Sequence, residues 1–236
     1  MQRFRFLIDF IHPAGWPFIG IFAAVTCLLY FVGGACFFLG IVLTAWCVYF
    51  FRDPPRVTPV RPGLIISPAD GRIVAIKQVK PEPTLGLGEE TFTRISIFLN
   101  VFDVHVNRMP ADGVVVAQNY RAGKFVNASL DKASVDNERA AVALRLTGDH
   151  PYNGKLLGVV QIAGLIARRI ICDAKPDDTF RTGERFGLIR FGSRTDVYLP
   201  LGIEPLVVVG QHMLGGETVL ADCSSQEPAR KGEVRT

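Results

Sequence analysis

The sequence predicts an α+β molecule in two parts: an apolar helical hairpin at the N-terminus, then a mainly antiparallel β domain of sandwich or barrel character. Three observations predict it. From Trp16 to Phe51 no Asp, Glu, Lys or Arg occurs. A stiff proline cluster, Pro54, Pro55, Pro59 and Pro62, follows at once. Beyond it, short Val- and Ile-rich runs alternate with Gly, Pro, Asp and Asn, the pattern of strands joined by turns. The domains are expected at residues 1–53, a membrane-associating helical segment, and 54–236, a β-rich domain.

A helix that crosses a bilayer takes about 20 apolar residues, and the charge-free run exceeds that. Gly33-Gly34 divides it into 16–32 and 35–51, each about 25 Å long as a helix and slightly short of a full crossing. Two arrangements follow: a hairpin that spans twice, or a helix pair sunk into one leaflet. A pair buried in a soluble core would carry more charge. A secretory signal would end in a small-x-small cleavage site, whereas this run meets Arg52-Asp53-Pro54-Pro55. Arg3 and Arg5 precede it and Arg52, Arg56 and Arg61 follow, which puts both flanks, and the remaining chain, on the cytoplasmic face of the cell membrane.

The formal net charge of +4 suits an anionic membrane surface, and no basic stripe interleaved with aromatics points to nucleic acid. Cys27, Cys36 and Cys47 sit in the apolar segment while Cys172 and Cys223 stand apart. They form neither a disulfide framework nor a CxxC zinc pattern, as expected in a reducing compartment.

Strands are expected at 72–79, 93–99, 113–120, 140–146, 156–172, 185–190, 195–200 and 204–210. Within these, "GLIARR" (164–169) reads equally as helix, and the polar stretch 129–140 reads as a loop, where function concentrates. "IRFGSRTDVYLP" (189–200) reads as a strand entering and leaving a tight hairpin turn at Gly192-Ser193.

Four histidines occur: His12, His105, His150 and His212. His12 borders the apolar segment and His150 lies in a turn composition. His105 follows a strongly apolar strand in "FLNVFDVHVNRMP", with Asp103 two residues before it on the same expected strand face and Arg108 after it. It reads either as a structural imidazole or as a general base; a single His followed by Val106 and Asn107 makes a poor zinc site. Asp70 in "SPADG" is equally a turn residue or a carboxylate orienting a histidine. Ser193 lacks the GxSxG elbow of the α/β hydrolases, and alone it is ordinary turn chemistry.

Taken together, "SPADG", "FDVHVNRMP", "GKFVNASLDKASVDNERAAV" (123–142), "QIAGLIARRIIC" (161–172), "GERFGLIRFGSRTDVYLP" (183–200) and "GETVLA" (216–221) resemble the phosphatidylserine decarboxylases in their short bacterial form. The resemblance runs in order from about residue 50 to 222. It implies a zymogen that cuts itself between Gly192 and Ser193 into chains 1–192 and 193–236, which stay together. Ser193 Oγ attacks the Gly192 carbonyl, which a glycine leaves unshielded. The resulting ester eliminates, and Ser193 becomes a pyruvoyl group, a built-in electron sink for loss of CO2 from phosphatidylserine. No metal is implied.

In this scheme His105 and Asp70 activate Ser193, and His105 later donates a proton. Where long-form relatives carry a second histidine three residues on, this chain has Arg108. Arg108, Lys124, Lys132 and Arg139 are candidate partners of the anionic headgroup, and each reads equally as a solvated surface charge. The implied partners are phosphatidylserine, an anionic membrane surface and the chain's own cleaved segment, with room for a higher oligomer. Two other readings stand beside this one: a membrane-tethered β module that only binds, and a pyruvoyl decarboxylase of another amino-acid-bearing lipid.

Overall fold

The computed structural model describes residues 10–123, 137–164, 169–190 and 193–234. The chain divides into two compact units, Met1–Pro55 with Phe102–Val104, and Arg56–Val101 with His105–Thr236.

The first unit is built on two apolar helices, α1 (Trp16–Leu29) and α2 (Gly34–Phe50). Pro17 opens α1 in the first turn, where a missing N–H costs nothing. The helices meet through small polar side chains. Thr26 and Thr44 lie 3.0 Å apart at their hydroxyls, and each also bonds the carbonyl four residues back, Phe22 and Gly40. This is how helices pair where no water drives them together. Their other faces are bare hydrocarbon, with Ile21 61%, Leu28 67% and Phe38 67% exposed. Pro13–Tyr30 is long and apolar enough to cross a membrane, and α2 is one residue shorter. Arg52 closes the unit: its guanidinium lies over Tyr49 and donates to the carbonyls of Tyr49 and Phe102.

The second unit holds thirteen strands among the described residues: β1 (Leu64–Ile66), β2 (Gly71–Val79), β3 (Phe92–Leu99), β4 (Val106–Arg108), β5 (Gly113–Arg121), β6 (Arg139–Leu146), β7 (Leu156–Ala163), β8 (Ile170–Cys172), β9 (Thr179–Phe180), β10 (Arg185–Ile189), β11 (Ser193–Pro200), β12 (His212–Met213) and β13 (Val219–Asp222). The large sheet runs β12-β2-β3-β11-β7-β6-β5-β9, and its pairs are all antiparallel. A three-stranded sheet, β4-β10-β8, and the β1–β13 pair complete it. Bulges at Ile73/Ala75 and Val115/Ala117 curl the large sheet into an open half-barrel. Its inner face, Ile97, Val159 and Val197 among others, packs on Phe186, Met109 and Leu220. The outer face carries a second cluster around Phe92, Val160, Ile162 and Tyr198.

The α+β class and the antiparallel character are as the sequence predicts. The hairpin at 189–200 is not. β10 pairs with β4 and β8, whereas β11 pairs with β3 and β7, so the two flanking strands belong to different sheets. The reason is burial: all eight residues of β11 are buried, as befits a strand with a neighbour on each side. The 156–172 run divides into β7 and β8. The stretch 204–210 is no strand; Pro205 makes a single bridge to Ala221, and the chain turns at Gly210. Asp103 lies in a bend rather than on a strand with His105, because β4 begins only at Val106. Of the expected loop 129–140, residues 129–136 lie outside the described residues, and Arg139-Ala140 already belong to β6. Most of "GLIARR" also lies outside them.

Candidate active site

Ser193 is the first residue of β11, opposite Leu99 on one side and Ala163 on the other. It is wholly buried, and its Oγ has no hydrogen-bond partner. Residues facing each other in an antiparallel pair share a face, and alternate residues along a strand share it too. Ser193, Thr195, Val197, Gln161 and Val159 therefore all look toward the inner core.

His105 reaches this place from the small sheet. It is wholly buried just before β4, and its carbonyl accepts from the N–H of Ile189 on β10. Ile189, Ile170, Ala140 and Ala163 form one apolar cluster, and Ala163 is the residue opposite Ser193. His105 and Ser193 thus come to the same end of the core from different sheets. Gly192 lies outside the described residues.

Asp70 is bound from two sides. Arg56 Nη2 donates to both its carboxylate oxygens at 2.7 and 2.9 Å, and the Gly215 N–H donates at 2.7 Å. Sequence reading named neither partner. Arg108 is buried beside this group: its N–H donates to the Pro68 carbonyl, and Nη1 donates to that of Gly183. Gly216, with φ of 82°, lies so close that a Cβ there would come within 2.7 Å of Arg108 Cδ. The structure thus gathers Arg56, Asp70 and Arg108 around the Gly215-Gly216 turn.

The neighbours of Ser193 that crowd it in sequence point the other way. Arg194 and Asp196 lie on the outer face and pair with each other, Nε to Oδ1 and Nη2 to Oδ2 at 2.9 Å each. Tyr198 follows on that face, and burial, helped by the Asp196 charge, pushes its hydroxyl up to about 12. Arg139, opposite Ile162, belongs to this outer face and is bound by Glu82 and Thr84. A cavity of about 230 Å³ there is lined by Lys80, Glu82, Arg94, Arg139 and Tyr198. Lys124 and Lys132 lie outside the described residues.

Two further cations stand near the Ser193 end that sequence reading did not single out. The N–H of Arg190 donates to the Arg169 carbonyl, and burial together with the Arg169 charge lowers the Arg190 pKa. Their adjacency comes from the β8–β10 pairing, which spacing alone does not reveal. Among the described residues no group of three or more His, Cys, Asp or Glu side chains is arranged to hold a metal ion.

The family model for phosphatidylserine decarboxylase matches residues 43–221. A protein of Cereibacter sphaeroides named phosphatidylserine decarboxylase proenzyme is 57% identical, over 95% of this chain and 95% of its own length. Proteins of the same name from Ruegeria pomeroyi and Paramagnetospirillum magneticum are 56% and 54% identical. The alignments cover 90% and 95% of this chain, and 94% and 92% of those proteins. With these matches along nearly its whole length, the chain belongs to the phosphatidylserine decarboxylase family.

Proposed function

We propose that this chain is a proenzyme that cuts itself between Gly192 and Ser193 and then, as a carboxy-lyase, converts phosphatidylserine to phosphatidylethanolamine and CO2. The observation that carries the reading is the place of Ser193: buried, with an unpartnered hydroxyl, at the junction of two sheets. Because β10 and β11 do not pair with each other, a cut between them breaks no strand ladder. Each small-chain strand is paired with a large-chain strand, β11 with β3 and β7, β12 with β2, and β13 with β1. The two chains therefore stay joined after the cut.

In the cut itself, Ser193 Oγ adds to the Gly192 carbonyl carbon while its proton passes to His105. The peptide C–N bond then breaks, the Ser193 nitrogen takes up a proton, and an ester remains. Loss of the Ser193 Cα proton expels the Gly192 carboxylate and leaves dehydroalanine. Its imine tautomer is hydrolysed by water, releasing ammonia and leaving a pyruvoyl terminus. The site fits that group, since the start of β11 is held by both neighbouring strands and needs no peptide bond to stay in place. The pyruvoyl carbonyl supplies an electrophile for the substrate amine and an electron sink as CO2 leaves.

His105 protonates the substrate carbon afterwards. Asp70 is the carboxylate that acts with His105 in activating Ser193, and it also fastens the small chain's Gly215 and the large chain's Arg56 together. Arg108 is the proposed headgroup cation among the described candidates, with Lys124 and Lys132 beside it in the proposal. Arg139, held by Glu82 on the outer face, supports the sheet instead. The bare apolar faces of α1 and α2 embed in the membrane, with the β domain on the cytoplasmic face, so the enzyme meets a substrate that never leaves the bilayer.

Product analysis tests the activity. Vesicles containing phosphatidylserine labelled in the serine carboxyl should release labelled CO2 and accumulate phosphatidylethanolamine. Release from a different amino-acid-bearing lipid, with phosphatidylserine untouched, would contradict the substrate assignment.

A further inference from the structure

Between β3, which ends at Leu99, and β4, which begins at Val106, the chain turns through residues 100–105. Asn100 and Asp103 are ordinary residues for such a turn. Phe102 is not. Its ring stands 61% exposed, where it gains nothing from burial that a polar residue would lack.

A single exposed apolar side chain is common on protein surfaces, and its setting distinguishes this one. Phe102–Val104 groups with the helical unit, while the residues on either side, Val101 and His105, belong to the β unit. One guanidinium makes the tie: Arg52 Nη1 donates to the Tyr49 carbonyl in the last turn of α2 at 2.8 Å, and Nη2 donates to the Phe102 carbonyl at 2.7 Å. A guanidinium holds its donors in a fixed planar fork, so Phe102 sits at the level of that last turn.

This level is the base of the helical hairpin. The segments that enter α1 and leave α2 are stitched together there: the His12 N–H donates to the Phe51 carbonyl at 2.8 Å, and the Asp53 N–H donates to that of Phe10 at 2.7 Å. Trp16 opens α1 42% exposed, and Tyr49 is 45% exposed with the Arg52 guanidinium over its ring. Half-exposed Trp and Tyr beside an arginine, at the end of a bare apolar helix pair, form the kind of belt that meets the boundary between lipid headgroups and acyl chains. Phe102 joins that belt from the β3–β4 turn.

We propose that the β3–β4 turn is a second membrane contact, with the Phe102 ring inserted where lipid headgroups meet acyl chains. This rests on the reading of the helical unit as membrane-embedded. Its consequence for the chemistry runs along the chain. Only Asp103 and Val104 separate Phe102 from His105, so the lipid that holds the ring holds the backbone three residues before the proposed proton donor. The helical tether keeps the enzyme near its substrate; the Phe102 contact seats the segment that leads into the site.

The test uses the full chain carrying Trp16→Phe, Trp46→Phe and Phe102→Trp, so that position 102 holds the only tryptophan. With vesicles of phosphatidylserine and phosphatidylcholine its emission should shift to the blue. Lipids brominated high on the acyl chain should quench it more than lipids brominated near the chain end. Flotation of the same sample reports whether the helices are bound. A protein that floats with the vesicles, yet is neither shifted nor quenched, overturns the proposal. A protein that does not float contradicts the membrane reading itself, and the proposal falls with it.

Phe102→Ser supplies the kinetic arm. It should raise KM for phosphatidylserine in vesicles by about tenfold, near the lower end of what burying one phenylalanine side chain is worth, with kcat kept. Turnover of a short-chain phosphatidylserine dispersed as monomers should be unchanged, and Phe102→Trp should restore the vesicle KM. Equal losses on both substrates would make Phe102 a structural residue and overturn the proposal, as would an unchanged vesicle KM. The tryptophan variant decides the matter where the serine variant fails to mature.

Discussion

Strand β11 carries polar residues on both faces, and the faces treat them oppositely. On the outer face Arg194 and Asp196 are buried but bound to each other, with Arg94 4.0 Å from the same carboxylate. On the inner face Ser193 and Thr195 are equally buried, yet both hydroxyls lack partners. A buried charge is tolerated when it is paired, and such pairs fix a structure. Buried neutral groups left without partners do nothing for stability, and the proposed self-cleavage gives the Ser193 hydroxyl a use. In sequence the four residues alternate within one short segment, and only the register separates them.

The comparison can be broken in several places. The largest effect belongs to the inner face: Ser193→Ala should leave a joined chain with no decarboxylase activity while the β domain stays folded, since one hydroxyl without partners is all that is removed. Protease resistance and CO2 release measure the two properties. A cut or active variant would remove Ser193 from the chemistry.

The outer face should answer in stability instead. In the uncut Ser193→Ala background, Asp196→Ala leaves Arg194 buried without its partner and should cost about 3–5 kcal/mol, read as a shift of the denaturant midpoint. No shift would mean that the Arg194–Asp196 pair is not holding the sheet.

A contrast of the same kind holds in the helical unit, whose bare faces are proposed to meet lipid. Replacing Leu28 and Phe38 by Glu should weaken flotation with anionic vesicles by at least about tenfold, since each charge is costly at membrane depth. Unchanged flotation would take these faces out of the membrane.

The smallest effect concerns Glu82. The hydrogen bond from Arg139 leads the causes that hold its carboxyl below the ordinary value of 4.5. A depressed folded pKa stabilises the fold above the unfolded value, and the gain is lost as pH falls through the depressed one. Glu82→Gln should therefore lower the unfolding midpoint slightly near neutral pH, and the difference from the parent should vanish below about pH 3. A difference that persists there would assign the effect to something other than this charge.

Much of the molecule is legible in the sequence because its signals are local. The charge-free run, the Val/Ile periodicity and the proline break place α1, α2 and the long strands of the large sheet. The errors arise where pairing partners are distant. "IRFGSRTDVYLP" has the local look of a hairpin, and nothing within it tells that β10 will join β4 while β11 is claimed on both sides by β3 and β7. "EPLVVVG" is rich in Val, but Pro205 lacks an N–H and only one bridge forms. Strands of two to four residues such as β9, β12 and β13 hold no period to detect.

The site divides the same way. Ser193, His105 and Asp70 stand out through a motif set, whereas Arg56 reaches Asp70 only after the proline segment folds back.

The central claim is that Ser193 is a buried nucleophile at a junction built to be cut. The most direct measurement is the intact mass of the freshly folded chain under denaturing, reducing conditions, with and without a ketone-reactive reagent. The account predicts two pieces that meet at Gly192 and Ser193, the smaller one alone taking up the reagent at its first residue. A single uncut mass that takes up no reagent would contradict it.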